Sequence, residues 1–211
     1  MKASFRNAFQ EQHLILSLGL GLFILLAGGQ SLTSAWMMTL VLFINLFLST
    51  SILYLLRSQF QSEYKWIIVL SVIGSVATWV QMMVTAFLPG WVVGMEAYLP
   101  LIAVSGLILA RVETVVQTES FSNLFMHTLG SVLGFAFLVL PIGFFADLLG
   151  QGVVAFASPL MNPEPSMLWS FQLLDESVLI PIFQGIYAPI GIFILASLWI
   201  ALVQWVRRML G

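Results

Sequence analysis

The chain has 211 residues, of which 60% are hydrophobic and 8% charged, with a formal net charge of -2 and a mean hydropathy of +1.04. A water-soluble domain of this size cannot bury so much apolar surface, so the composition predicts an integral membrane protein in a lipid bilayer. The seven Lys and Arg residues form no cluster that would bind a nucleic acid, and the absence of cysteine excludes disulfides and thiolate-ligated clusters built by this chain alone.

Apolar runs bounded by charges or turn residues predict six membrane segments. In chain order they are 14–27, 36–56, 66–88, 98–110, 124–149 and 181–206. The second, third, fifth and sixth are long enough to span a bilayer. The first and fourth are short, because the run from Leu99 to Ala110 covers only about 18 Å of a hydrocarbon core about 30 Å thick. The first follows Lys2 and Arg6 as a signal peptide would, but similar segments come after it, so we expect it to be retained.

The basic residues predict how these segments are oriented. If all six cross and both termini are cytoplasmic, every Lys and Arg lies on the cytoplasmic side, and the opposite loops 28–35, 89–97 and 150–180 contain none. This is the distribution that membrane proteins favour. Loop 150–180 is long and apolar, so we expect this outer loop to lie along the membrane surface or against a partner.

The segment lengths follow the order short, long, long in both halves of a single membrane domain, 1–211. Because the two halves contain three segments each, the second unit, about 98–206, is predicted to be inverted relative to the first, about 14–88. Paired short segments of this kind indicate a functional site at the repeat interface, near the bilayer midplane. Local bilayer thinning is the alternative explanation of their length. The candidate positions are Gly19, Gly21, Ser105 and Gly106.

Few residues suggest chemistry. P-loop, GxGxxG, HExxH and GxSxG motifs are absent, and the two histidines, His13 and His127, fall at segment edges, where wet interfacial residues are expected. Asp147 lies near the outer end of the fifth segment, so a relay of carboxylates is not predicted. Neutral polar residues inside the segments are expected to form hydrogen bonds between helices in preference to an ion path: Asn45, Thr78, Gln81 and Gln184.

Several boundary residues carry further expectations. Arg111 and Glu113 close the fourth segment at the cytoplasmic surface, either as ordinary boundary charges or as contacts to a partner or a neighbouring loop. Pro141 and Pro189 predict kinks in the fifth and sixth segments, because proline removes a helical donor. Tryptophans at the segment edges are expected to be interfacial anchors: Trp36, Trp66, Trp91, Trp169 and Trp205.

Two stretches of the second half carry a family resemblance. YLPLIAVSGLILARVET, residues 98–114, and TLGSVLGFAFLVLPIGFFADLLGQG, residues 128–152, resemble the RnfE and NqrD membrane subunits of the Rnf complex and the sodium-translocating NADH:quinone oxidoreductase. LGLG at 18–21 is similar to a third family stretch. The matching positions are Leu99, Pro100, Leu101, Ile102, Arg111, Glu113, Gly130, Gly134, Leu149, Gly150 and Gly152.

The resemblance implies six transmembrane segments in two inverted repeats, paired with a related six-helix subunit of opposite topology in the bacterial inner membrane. In the family, one cysteine from each short helix helps to hold a 2Fe-2S cluster between the two subunits. Gly21 and Gly106 occupy those positions here. We therefore expect this chain to bind no cofactor alone, with any flavin or iron–sulfur group on partner chains.

The predicted function is a non-catalytic subunit, structural or ion-path-forming, of a redox-driven ion-translocating complex of the NADH:quinone or NADH:ferredoxin oxidoreductase type. Two alternatives stay open. One is a stand-alone small transporter or channel built on the same inverted repeat, and the other is an assembly or scaffold protein.

Overall fold

A computed structural model of the chain describes residues 22–57, 65–92, 94–104, 120–158, 167–172 and 189–210. These residues are mostly helical. A single helical turn at Pro89–Val92 and a 3₁₀ helix at Pro100–Val104 follow the third of five α-helices. The helices are α1 (Leu22–Gly28), α2 (Leu32–Leu55), α3 (Lys65–Phe87), α4 (Phe121–Gln151) and α5 (Pro189–Leu210), and a two-stranded antiparallel sheet follows α4, with strands β1 (Val153–Ala157) and β2 (Met167–Gln172).

Three helices of the described residues are long and apolar enough to cross a membrane. They are Leu32–Leu55, Trp66–Phe87 and Phe121–Gly150, which match the second, third and fifth predicted segments to within a few residues. The apolar part of α5, Ile190–Val206, is shorter and falls in the sixth segment. The first and fourth segments are described only in part, as α1 and the 3₁₀ helix.

The antiparallel pair α2 and α4 forms the centre of the fold. At one end the Leu32 N–H donates a hydrogen bond to the Asp147 carboxylate, and at the other the rings of Tyr54 and Phe121 pack edge to face with centroids 5.8 Å apart. We call the first of these the Leu32 end of the bundle. α2 also contacts α1 and α3, while α4 contacts α5. Buried side chains of both helices form one apolar core, which includes Leu42, Leu46, Phe135 and Val139.

The turn between α1 and α2 lies very close to α4 and α5. A Cβ atom on Gly143 of α4 would be 2.5 Å from the Ser31 carbonyl oxygen, and one on Gly29 would be 2.6 Å from Ile192 Cγ2. Side-chain carbons do not approach other atoms so closely, so both positions require glycine in this packing. Small residues play the same part wherever membrane helices bring their backbones together.

Local signals fix where the central helices begin and end. The Ser31 hydroxyl caps α2 by accepting a hydrogen bond from the Ser34 N–H. α4 ends at Gly152, whose φ of 69° is left-handed, and β1 follows at once. Pro141 lies inside α4 as predicted, and the kink expected there stays a prediction. Pro189 is the first described residue of α5, so the residues needed to test a kink there lie outside the described ranges.

The prediction of an all-α chain is wrong in the outer loop 150–180. Gly152 stops the helix, and the next five residues, VVAFA, are rich in the β-branched and aromatic types that strands favour. β1 packs against α2 and α4. Part of this loop therefore covers the chain's own bundle, whereas β2 stays exposed along its whole length.

Candidate functional site

The six residues proposed for the site and its boundary lie outside the described ranges: Gly19, Gly21, Ser105, Gly106, Arg111 and Glu113. His13 and Gln184 lie outside them as well. The neighbouring elements are described, since α1 begins directly after Gly21 and the 3₁₀ helix ends directly before Ser105.

The described parts of the two short segments contact each other inside the bundle. Ile24 and Ala27 of α1 are buried in the same apolar core as Leu99 and Ile102, beside and within the 3₁₀ helix. α3 packs against the 3₁₀ helix, while α2 and α5 pack against α1. This environment suits short helices, because backbone groups at membrane depth must be covered by protein when they lack a helical partner.

Polar side chains are buried in the cytoplasmic-facing half predicted for α2. Asn45 is 1% exposed, and Ser49 one turn later is fully buried. The Ser49 hydroxyl donates to Asn45 Oδ1 at 3.3 Å, and the Thr50 hydroxyl donates to the Leu46 carbonyl at 2.6 Å. These hydrogen bonds lie within one helix, which corrects the expected bond between helices at Asn45.

The other interior hydroxyls follow the same rule. Thr128 and Ser131 of α4 are buried and donate to carbonyls four residues earlier in their own helix. Thr78 of α3 does so on an exposed face, which corrects the expectation for that residue too. A hydroxyl that bonds its own helix satisfies its donor without a partner helix. Gln81 is half-buried, and its expected hydrogen bond stays a prediction.

A polar connection joins α4 to the start of α2 at the Leu32 end. Asp147 is 4% exposed, and its Oδ2 accepts the Leu32 N–H at 2.9 Å. The first amides of a helix have no partner within it, and its N-terminus carries a partial positive charge that favours a carboxylate. Asp147 therefore satisfies a group that would otherwise be unpaired close to membrane depth. The two residues are 115 positions apart, so no local pattern could have predicted their contact.

The chain does not supply the donors of an iron–sulfur cluster. Such clusters are held by cysteine thiolates, and the sequence contains no cysteine. Glycine, which stands at positions 21 and 106, has no side chain to ligate iron. Among the described residues, moreover, no three His, Asp or Glu side chains lie together as a metal site would require.

Long apolar helices around a core that holds two short elements define a helical integral membrane protein. The sequence identifies which one more closely. Residues 1–199 match the model of the family described as "Rnf-Nqr subunit, membrane protein". The chain belongs to this Rnf-Nqr family, which confirms the resemblance predicted from residues 98–152.

Individual relatives agree with this assignment, and each is named as the same subunit, RnfE in the family's nomenclature, of its complex. The chain is 30% identical over 195 residues to that subunit of the ion-translocating oxidoreductase complex of Shewanella oneidensis, covering 90% of this chain and 81% of the relative. It is 27% identical over 185 residues to its counterpart from Shewanella baltica, covering 87% and 78%. Identity to the corresponding subunit of the Na⁺-translocating ferredoxin:NAD⁺ oxidoreductase complex of Acetobacterium woodii is 30% over 134 residues, covering 64% and 60%.

Proposed function

We propose that this chain is a membrane subunit of an ion-translocating oxidoreductase complex of the Rnf type. The observation that carries the proposal is the match of residues 1–199 to one subunit family, together with relatives that are all named as one particular subunit of such complexes. The described surface is compatible with assembly in a membrane, since α3 and α5 expose large apolar side chains along their lengths, among them Trp66, Trp79, Met82, Leu198 and Trp205.

The role within the complex is structural in preference to catalytic. No enzyme motif is present in the sequence. The interior hydroxyls of α2 and α4 are bonded to their own helices, so they do not form a chain of free oxygen ligands along which an ion would move. This bonding favours the structural role over the ion-path role within the described residues.

The proposed architecture comprises six segments in two inverted repeats. The contacts of the described elements support it, because each contact in one half has a counterpart in the other. α2 packs on α4, α1 packs on the 3₁₀ helix, the α2–α3 contact corresponds to α4–α5, and the α3 contact with the 3₁₀ helix corresponds to α5 with α1. A two-fold relation between inverted units produces such a pattern.

Both termini are proposed to lie in the cytoplasm of a bacterium, with the chain in the inner membrane beside a related six-helix subunit of opposite topology. The distribution of Lys and Arg supports this orientation. Because the chain has no cysteine, single substitutions test it directly. A membrane-impermeant maleimide should label Ala97→Cys in intact cells and Ser58→Cys only after permeabilisation, and the reverse result would overturn the orientation.

The chain is further proposed to bind no cofactor by itself. Any flavin or iron–sulfur group of the complex would be held by partner chains, since cysteine is absent here.

Purification of the tagged chain in a mild detergent tests the proposed function. We expect other subunits of an ion-translocating oxidoreductase complex to co-purify, and we expect the separated chain to contain neither iron nor flavin. If the chain purifies alone and conducts ions or solutes after reconstitution into liposomes, it is a stand-alone transporter. If it purifies with an unrelated partner and conducts nothing, it is a scaffold protein.

A further inference from the structure

The hairpin that follows α4 is fastened to the bundle along one edge of β1. Thr33 Oγ1 accepts the Ala157 N–H at 3.0 Å and donates to the Ala155 carbonyl at 3.4 Å, and Trp91 Nε1 donates to the Ala157 carbonyl at 2.8 Å. Backbone groups of alternate residues in a strand point to the same edge. Ala155 and Ala157 therefore face α2, and β2 lies on the opposite edge, away from it.

The side chains of β2 share their direction with those that β1 packs onto the bundle. Val154 is paired with Phe171, and Phe156 with Trp169. Directly paired residues project from the same face of a sheet. Val154 is 3% exposed, so this face of β1 points into the bundle. At β2 the same face continues past the bundle's edge, and Trp169 and Phe171 remain 50% and 63% exposed.

An aromatic row runs from the bundle out to β2. The rings of Trp91 and Phe156 meet edge to face with centroids 5.7 Å apart, and Phe156 stacks on Trp169 at 6.2 Å with 6° between the ring planes. The row holds the overhanging strand in a definite position, because Trp91 is at the same time hydrogen-bonded to β1.

The hairpin lies at the depth where the central spans end. β1 follows Gly152 at the end of α4, and Thr33 belongs to the first turn of α2. The residues beside a span at this level are in the boundary between headgroups and acyl chains, which tryptophan prefers. Trp36 and Phe145 are also exposed at the Leu32 end, so apolar surface occurs there on the helices as well.

We propose that β2 is an interfacial membrane anchor, whose Trp169 and Phe171 side chains insert beside the bundle into the leaflet reached by the Leu32 end of α2. The opposite face of β2 carries Ser170 and Gln172, which then face water. The strand contains no charged residue, and two large apolar side chains at least half exposed to water would be costly. Lipid at this depth removes that cost without requiring another protein.

Collision measurements on single nitroxide labels test this proposal in the full chain. Phe171→Cys and Ser170→Cys are labelled separately, the absence of native cysteine making each label unique, and the protein is placed in nanodiscs of phosphatidylcholine and phosphatidylglycerol. Leu133→Cys, exposed on the middle of α4, provides the reference for a side chain in lipid. We expect oxygen to collide with the label at 171 more often than a water-soluble nickel chelate does, and the reverse at the matched control, 170.

Each other result overturns the anchor. Frequent nickel collisions at 171 would place that face in water. Few collisions with either reagent would mean that protein covers the face, in this chain or in a second copy. The labels are read again after the labelled chain is combined with its co-purified subunits, and a loss of oxygen collisions at 171 at that stage would assign the face to a partner subunit.

Discussion

At the residue scale, Asp147 connects two parts of the chain that no sequence pattern links. Its carboxylate accepts the amide of Leu32 where α2 begins. Asp147→Ala leaves that amide without an acceptor, so we expect the free energy of unfolding to fall by about 1–3 kcal/mol, the cost of an unsatisfied buried donor. Thermal unfolding of the detergent-solubilised protein provides the measurement.

The conservative variant distinguishes the hydrogen bond from the charge. Asp147→Asn keeps an acceptor oxygen at the same position, and we expect it to lose much less stability than Asp147→Ala. Equal losses in the two variants would contradict the capping role and would show that the negative charge itself is required.

Close packing at Gly143 is a second property of single residues. Gly143→Ala places a Cβ atom 2.5 Å from the Ser31 carbonyl oxygen and 2.9 Å from Ala35 Cβ. The two helices must separate to accept it, and overpacking of this kind costs about 1–3 kcal/mol. We expect a corresponding loss in the free energy of unfolding, measured by denaturant titration in detergent.

Gly74 is the matched control for that substitution. It also lies inside a membrane-length helix, but a Cβ atom there would meet nothing within 4 Å. Gly74→Ala should leave stability unchanged or raise it by up to about 1 kcal/mol, because alanine is the better helix former. If both variants lose the same stability, the effect at Gly143 does not come from its contact with Ser31.

At the element scale, the spans could be predicted from the sequence, whereas the contacts that position them could not. Long apolar runs set α2, α3 and α4 to within a few residues, because hydrocarbon demands a minimum length of apolar helix. Ser31 and Gly152 supply end signals that can be read locally. The hairpin was missed because VVAFA and MLWSFQ are short apolar runs, which periodicity alone cannot assign to strand or helix.

The attachment of that hairpin also depends on residues distant in sequence. Trp91 was predicted to be an interfacial anchor from its place at a segment edge. Its indole N–H in fact donates to a carbonyl 66 residues later, and its ring packs on Phe156. A pattern in one sequence reports the polarity of such a residue, but the partner depends on the fold of the whole chain.

Thr33 is expected to control how firmly the sheet is held. Thr33→Val keeps the shape of the side chain and removes the hydroxyl that bonds both Ala155 and Ala157. We expect faster amide hydrogen exchange in 153–157, by about tenfold if the two bonds together contribute about 1.4 kcal/mol. Mass spectrometry of peptides from labelled protein measures the rate.

Thr33→Ser is the control, because serine retains the hydroxyl. It should exchange at nearly the original rate. Unchanged exchange in Thr33→Val would contradict the attachment, and faster exchange in α2 as well would show that the substitution disturbs the helix and not the sheet alone.

At the scale of the whole molecule, family membership and metal chemistry separate. The match over residues 1–199 establishes the family, and the contacts between the described elements are arranged as two related halves would arrange them. The positions of the cysteines that relatives are expected to use are glycine here. The sequence could predict this loss of donors, since it needs only the identity of two residues.

Restoring the donors tests whether a cluster site is still present around them. Gly21→Cys and Gly106→Cys together return one thiolate to each short segment, and a partner subunit would have to supply the rest. We expect the purified complex to remain free of stoichiometric iron at these positions, because small residues let helices close the space that a cluster would occupy. The measurements are iron content and the visible absorption of an iron–sulfur cluster. The double variant is compared with Gly21→Ala/Gly106→Ala, which adds a side chain without a ligand. Iron in the cysteine variant but not in the alanine variant would show that the cavity persists and that only its ligands were lost.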